Sequence, residues 1–345
     1  MELIRESVRK VLDAGAVPIV LGGDHLIAYA ELKAYSEKYG KVAMVHFDTH
    51  EDTWDYGDRI KYNHGTPFRN AIEDDILDTE HSIQVGIRSG GDTYRIKYAQ
   101  DHGMKVITAR ELHKIGIKET CRRIKEQVGD AKVFITFDID FLDPVYAPGT
   151  GTPMPGGFST YEACEIIRNG LAGLDIVGFD LVEVMENYDP AGITAINAVA
   201  ILKQFVILLS KKKAEQEWSV LDMVKCPFKL NFDDLKDLGP TGFLETPMVD
   251  DINGYDILFA ALPYECDETA KPGSRNGSAY FRRDIFGFGF CDQGLDIDMA
   301  HSVKSGDCGD LIIDDSSKAA AEKCIYTAEK AIASTGACSF MIGRA

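Results

Sequence analysis

The stretch VAMVHFDTHED, residues 42–52, is an apolar, strand-like run that ends abruptly in Asp48, His50 and Asp52. A strand buried on both faces reads as such an apolar run. Ligand-type residues just past its end fall in the crevice at the carboxyl edge of a parallel sheet, where open α/β folds bind ligands. In extended geometry positions i, i+2 and i+4 share one face, so two carboxylates and an imidazole could converge there. Like charges held that close call for a cation between them. Taken alone, D-x-H-x-D is also what a polar strand end looks like, so further ligands elsewhere must separate the two readings.

The flanking sequence has a βα rhythm. Apolar residues at helical spacing predict a helix over 3–14, stopped by Gly15, then a buried strand over 17–21 closed by Gly22-Gly23-Asp24-His25. A helix over 26–38 leads into the 42–47 strand. Strands follow at 82–87, 104–107, 132–138 and 174–180, with helices at 116–128, 160–170 and 192–209. Alternation of this kind predicts a parallel sheet with helices on both faces. Residues 145–158 form a Gly/Pro-rich loop directly after a strand, of a length that suits a functional loop.

The 132–138 strand ends in Asp138-Ile139-Asp140, again two carboxylates at i, i+2 beyond a run too apolar to solvate them. His25 adds an imidazole after a third strand. Four carboxylates and two imidazoles, without a thiolate, suit a manganese-type ion better than structural zinc, with nickel or cobalt admissible. Six ligands exceed what one ion takes while leaving room for water, so the set predicts a binuclear centre with ions about 3.5–4 Å apart. Such a pair makes hydroxide at neutral pH, and the implied reaction is hydrolysis.

Composition narrows the class. A chain of 345 residues can bury a large core, and its net charge of −18 argues against nucleic acid or an anionic membrane surface as a partner. No apolar run is read as membrane-spanning, since Lys203 and Gln204 interrupt the longest, at 195–209. The eight cysteines include no CxxC pair, which predicts reduced thiols and a cytoplasmic protein.

An ordered set of motifs resembles the ureohydrolase family, the arginases and agmatinases: GGDH (22–25), FDTHED (47–52), HGTPF (64–68), FDIDFLDP (137–144) with GTGTPMPGG (149–157), and GFDLVEV (178–184) with YDPAGITA (188–195). The resemblance covers residues 5–209. It implies a three-layer α/β/α fold with a mainly parallel central sheet, two Mn2+ ions, and hydrolysis of a small cationic guanidino compound to an amine and urea. It further implies that His25, Asp48, Asp52 and Asp138 hold one ion and that His50, Asp48, Asp138 and Asp140 hold the other, with Asp48 and Asp138 bridging. Asp52 would also accept a hydrogen bond from the bridging hydroxide. His64 matches the family's proton-shuttling histidine, Glu183 the carboxylate that clamps the guanidinium, and Thr152 a threonine beside the substrate. A homo-oligomer, trimeric or hexameric, is implied as well. Without the family pattern, His64 and Glu183 read as solvated surface residues.

The order of the blocks is permuted. GFLETP (242–247), residues 256–284 and SGDCGDLII (305–313) resemble the family's N-terminal part. Residues 1–209 are therefore read as the C-terminal two-thirds of a circularly permuted fold, 210–221 as a linker or frayed helix end, and 222–345 as the N-terminal third completing the same domain. In this last part a strand is expected at 256–262, another at 308–313, a helix at 316–335 and an apolar run at 338–342. The chain's end, AEKAIASTGACSFMIG, resembles its beginning, VRKVLDAGAVPIVLGG, but lacks the Gly-Asp-His. Both claim one slot in the sheet. Residues 17–23 are expected to take it, with 337–345 displaced, frayed or paired with another chain. DTW (52–54) and HGTPFR (64–69) are closer to agmatinases and guanidino-acid hydrolases than to arginase. Substrate choice is expected at residues 56–63 and 265–275, where Glu265, Asp267 and Glu268 suit a cationic tail and Lys271 and Arg275 a carboxylate. The other reading is a non-catalytic or partner-dependent subunit of the same fold.

Overall fold

Strand β2 (Ala43–Phe47) is buried along its whole length and stands inside a nine-stranded parallel sheet. The computed structural model describes residues 1–55, 57, 60–89, 93–189 and 191–217, and the strand segments 257–262, 291–292, 297–298, 305–310 and 338–343. In chain order the first elements are α1 (Glu2–Asp13), β1 (Ile19–Leu21), α2 (Ile27–Tyr39), β2 and α3 (Pro67–Glu73). Next come β3 (Ile83–Ile87), α4 (Thr93–Asp101), β4 (Lys105–Thr108), α5 (Ala109–Val128) and β5 (Lys132–Asp138). Then follow α6 (Thr160–Gly170), β6 (Asp175–Val182) and α7 (Ile193–Glu217). The later strands are β7 (Ile257–Leu262), β8 (Cys291–Asp292), β9 (Ile297–Asp298), β10 (Ser305–Asp310) and β11 (Cys338–Gly343). Strands β8 and β9 form a separate antiparallel pair.

The large sheet runs β10-β7-β11-β1-β6-β5-β2-β3-β4. Strand alternation splits its core in two. Ala43, Val45 and Phe47 of β2, with Val133, Ile135 and Phe137 of β5, pack with residues of α5, α6 and α7. On the other face Met44, Phe134 and Val177 pack with residues of α1, α2 and α3. This is the expected three-layer arrangement. The boundaries have local causes. The Ser159 hydroxyl accepts the Glu162 N–H at 3.2 Å while Glu162 accepts the Ser159 N–H at 2.8 Å, a reciprocal cap that starts α6. Gly116, at φ 76, kinks α5 where the sequence predicts a helix to begin, so the turn over 109–115 is an addition to that reading.

Several expectations change. Residues 338–343 are not displaced: β11 lies inside the sheet between β1 and β7, pairing Ile19 with Phe340, Val20 with Met341 and Leu21 with Ile342. The edge of β1 away from β6 carries backbone N–H and C=O groups that need partners, and β11 supplies them. The sheet accommodates both similar segments by widening, with residues 19–21 in it as β1, paired with β6.

Helix α7 in turn continues to Glu217, through most of the segment read as a linker. Its window Ile193–Ser210, of mean hydropathy 1.9, is long and apolar enough to cross a membrane by length and composition despite Lys203 and Gln204, which corrects the reading that these two residues rule such a run out. Yet 67% of that window is buried within the protein, as in a core helix, and Phe205 stacks on Phe179 of β6 at 4.5 Å. The expected strand at 308–313 starts earlier, as β10. The helix at 316–335 and the substrate-choice loop at 265–275 lie outside the described residues.

Candidate metal centre

Four adjacent strands, β1, β6, β5 and β2, deliver their carboxyl ends side by side. His25 follows β1, Glu183 follows β6, Asp138 and Asp140 close β5, and Asp48, His50 and Asp52 follow β2. His25 Nδ1 lies 3.1 Å from Asp48 Oδ2, 3.0 Å from Asp52 Oδ2 and 3.4 Å from Asp138 Oδ2. His50 Nδ1 lies 3.4 Å from Asp48 Oδ1 and 3.1 Å from Asp140 Oδ2. The six residues named from sequence therefore meet at one place, with Asp48 facing both imidazoles.

They do not meet by a shared extended face. The strand ends at Phe47, His50 sits in a bend whose N–H donates to Asp48 Oδ1 at 2.5 Å, and Asp52 is left-handed at φ 50. A turn of the chain, rather than strand alternation, brings Asp52 back to His25. Glu183 is likewise left-handed at φ 64. Such backbone costs about 1–3 kcal/mol per residue outside glycine and persists where the surroundings fix it. Glu183 Oε1 accepts the His25 N–H at 2.9 Å, so the carboxylate is tied to the residue bearing the first imidazole.

The other expected residues lie at the rim. Thr152 is exposed and its hydroxyl donates to Asp140 Oδ2 at 3.4 Å. His64 is exposed, with Nδ1 3.9 Å from Asp24 Oδ2, next to His25 in the chain. The loop reaches the site through glycine: a Cβ on Gly149 would stand 2.3 Å from Asp189 Cβ and 2.9 Å from the Met185 carbonyl.

The cluster is electrostatically unbalanced. Burial raises the Asp138 carboxyl well above its usual range, reinforced by the charges of Asp140 and Asp48, and burial with Asp48 pushes Asp140 up to about 6. For His50, burial disfavours the imidazolium, but hydrogen bonds to Asp140 and Asp48 overcome it and carry the group up to about 12. His25 is raised in the same way by Asp138, Asp48 and Asp52 against its burial. Burial raises Glu183 to about 8, with Asp24 adding to the effect. The protein alone must hold protons here to neutralise its carboxylates. His25 Nδ1 is surrounded by three carboxylate oxygens at 3.0–3.4 Å, none aligned as a regular hydrogen bond. Oxygen and imidazole donors in this arrangement fit divalent cations in place of those protons.

Residues not singled out from sequence surround the cluster. His46, fully buried, places Nε2 2.8 Å from Asp48 Oδ2. Thr136 Oγ1 lies 2.9 Å from His25 Nε2. The Arg88 guanidinium donates to the carbonyls of Asp140 at 2.7 Å, Leu142 at 3.1 Å and Met154 at 2.9 Å, tying β3 to the loop that carries Thr152. The available signal was a polar residue inside an otherwise apolar strand, as in AMVHF and KVFITFD.

The sequence profile of the arginase family matches residues 1–208. An agmatinase of Chromobacterium violaceum is 46% identical over 211 residues, covering 61% of this chain and 63% of the relative. A guanidinobutyrase of Pseudomonas aeruginosa is 40% identical over 210 residues, covering 61% and 66%. Among solved structures, a hypothetical agmatinase from Burkholderia thailandensis superposes with a TM-score of 0.57 at 42% identity, covering 61% of this chain and 65% of that one. The chain thus spans less than two thirds of the length of these relatives.

Proposed function

The chain belongs to the arginase family, and we propose on that ground that it is a two-manganese hydrolase of a small guanidino compound, agmatine or a guanidino acid. The observation that carries this reading is the Glu183 carboxylate hydrogen-bonded to the backbone of His25, which fixes an acidic acceptor beside the six-residue cluster. The similarity to proteins named agmatinase and guanidinobutyrase supports the substrate class.

In this reading His25, Asp48, Asp52 and Asp138 would hold one ion and His50, Asp48, Asp138 and Asp140 would hold the other. The ion pair, when bound, supplies a water of lowered pKa as nucleophile near neutrality. Asp52 orients that nucleophile by accepting its proton in a hydrogen bond. Glu183 accepts from the planar guanidinium, whose two-pronged donor geometry matches a carboxylate, and so presents the central carbon to attack. Water adds to that carbon, its bond to the alkyl nitrogen breaks, and urea and the alkylammonium leave. His64, at the exposed rim, delivers the proton that the departing amine takes up; an imidazole does this well near neutral pH. Thr152 lines the substrate side through its bond to Asp140. Comparing kcat/KM across guanidines with ammonium, carboxylate and neutral tails tests the substrate class, and uniform inactivity on all of them would reject it.

Metal uptake should be proton-linked. Burial and the neighbouring groups favour the protonated forms of His25, His50 and Asp138 in the metal-free protein, and the ions need those lone pairs. Binding therefore releases protons, and affinity weakens as pH falls, with Asp140 adding to the loss below about pH 6. Calorimetric titration in two buffers of different ionisation heat reads the protons released.

The permuted order belongs to the same proposal: residues after 256 complete the sheet begun by residues 1–209. It is supported by β7, β10 and β11 lying together beyond β1. Removing them would strip β1 of its neighbour along Ile19–Leu21. A fragment of residues 1–210 should therefore not melt cooperatively in a thermal scan. A soluble, cooperatively melting fragment would contradict the assignment.

A further inference from the structure

One step below the carboxylate cluster, four polar side chains form a row across four strands. Gln84 of β3 is the register partner of His46 in β2, His46 pairs with Thr136 in β5, and Thr136 pairs with Asp180 in β6. All four are buried with no exposed surface. Every other side chain of β2 is apolar, so a continuous polar row through this core calls for a reason.

The hydrogen bonds fix which atom of each histidine carries the proton. Gln84 Nε2 lies 2.6 Å from the Glu51 carbonyl oxygen and 3.0 Å from His46 Nδ1. An amide oxygen cannot face a carbonyl at that distance, so the NH2 group points there and donates to both. His46 Nδ1 is then an acceptor, and the ring's proton sits on Nε2. That Nε2–H points at Asp48 Oδ2, 2.8 Å away. His25 is arranged in the opposite sense. Its Nε2 meets the Thr136 hydroxyl at 2.9 Å, and Asp180, the register partner of Thr136, accepts the Phe137 N–H at 3.1 Å. The hydroxyl oxygen carries lone pairs that can take the His25 Nε2–H, and three carboxylate oxygens crowd the other ring nitrogen. His25 Nδ1 is thereby the atom left facing Asp48, Asp52 and Asp138.

We propose that this row is a positioning layer that gives two neighbouring histidines opposite tasks: His25 offers Nδ1 to a metal ion, whereas His46 is no ligand and instead holds the bridging Asp48 through its Nε2–H. The three-residue group His25, His46 and Asp48 has ligand atoms close enough together to take an ion by distance alone. The hydrogen-bond directions exclude His46 from that group. The inference rests on the two-metal reading above.

The test uses the full chain with histidines labelled in 15N and loaded with 113Cd2+. Nitrogen–cadmium coupling is expected for His25 and His50 and none for His46, whose Nε2 stays protonated. The near-isosteric Thr136→Val should weaken Mn2+ binding by about 10–100-fold, the usual effect of losing an outer hydrogen bond to a ligand, while Thr136→Ser restores most of the loss. His46→Gln keeps an N–H donor at similar reach and should retain two ions, where His46→Leu should not bind both tightly. Cadmium coupling to His46, loss of an ion in His46→Gln, or an unchanged affinity in Thr136→Val would overturn the proposal. A protein that binds no ion would instead reject the two-metal reading, and this layer with it.

Discussion

Asp48→Asn is expected to lower bound manganese from two ions per chain to one or none and urea production by about 10³-fold or more. Among the described residues Asp48 is the one carboxylate that faces both imidazoles, with Oδ2 toward His25 and Oδ1 toward His50. Asparagine keeps the shape and one oxygen but removes the charge and the second oxygen acceptor, so only one ion can retain an oxygen ligand here. A metal contributes several kcal/mol of charge stabilisation, and each ~1.4 kcal/mol is a factor of ten in rate. The fold should survive, because Asp48 follows the strand rather than packing its core, and the His50 N–H still finds an oxygen. Metal analysis by mass spectrometry, with circular dichroism as the fold control, checks this. Two tightly bound ions in the variant would show that Asp48 is not a bridge.

Glu183→Gln is expected to leave both ions bound and to cut kcat/KM for the guanidino substrate by about 10²–10³-fold, the order expected for losing a charged partner of a desolvated guanidinium at about 2–5 kcal/mol. The amide oxygen can keep the bond from the His25 N–H. Its NH2 group then faces the substrate, donor against donor. Steady-state kinetics beside metal content separates this from the Asp48 case, since only the Asp48 variant loses metal. A Glu183→Gln protein with unchanged kcat/KM would remove Glu183 from substrate binding.

Much of this was legible because one run of residues had to be a doubly buried strand, and carboxylates so close to an apolar core are costly without a function. Asp138 and Asp140 repeat that logic at the next strand in the sheet, and His25 does so after β1. Helix α3 escaped notice because it runs for only about two turns from its Thr66-Pro67 start, too short for periodicity. The turn that returns Asp52 to His25 depends on a left-handed backbone that a non-glycine residue does not advertise. His46, Gln84, Thr136 and Asp180 carry no mark of a shared role in the sequence because their partners lie on other strands, and only the register places them in one row. Strand β11 was expected outside the sheet because two similar segments were assumed to compete for one slot. Sequence similarity says nothing about whether a sheet can widen by one strand.

The most direct measurement is urea release by full-length protein loaded with manganese, compared with the same protein stripped by chelator, over a panel of guanidino compounds with the metal content determined in parallel. The account predicts two ions per chain, urea in equimolar amount with the amine from at least one compound, and loss of activity on stripping that manganese restores. Metal-replete, folded protein that releases no urea from any of them would contradict it.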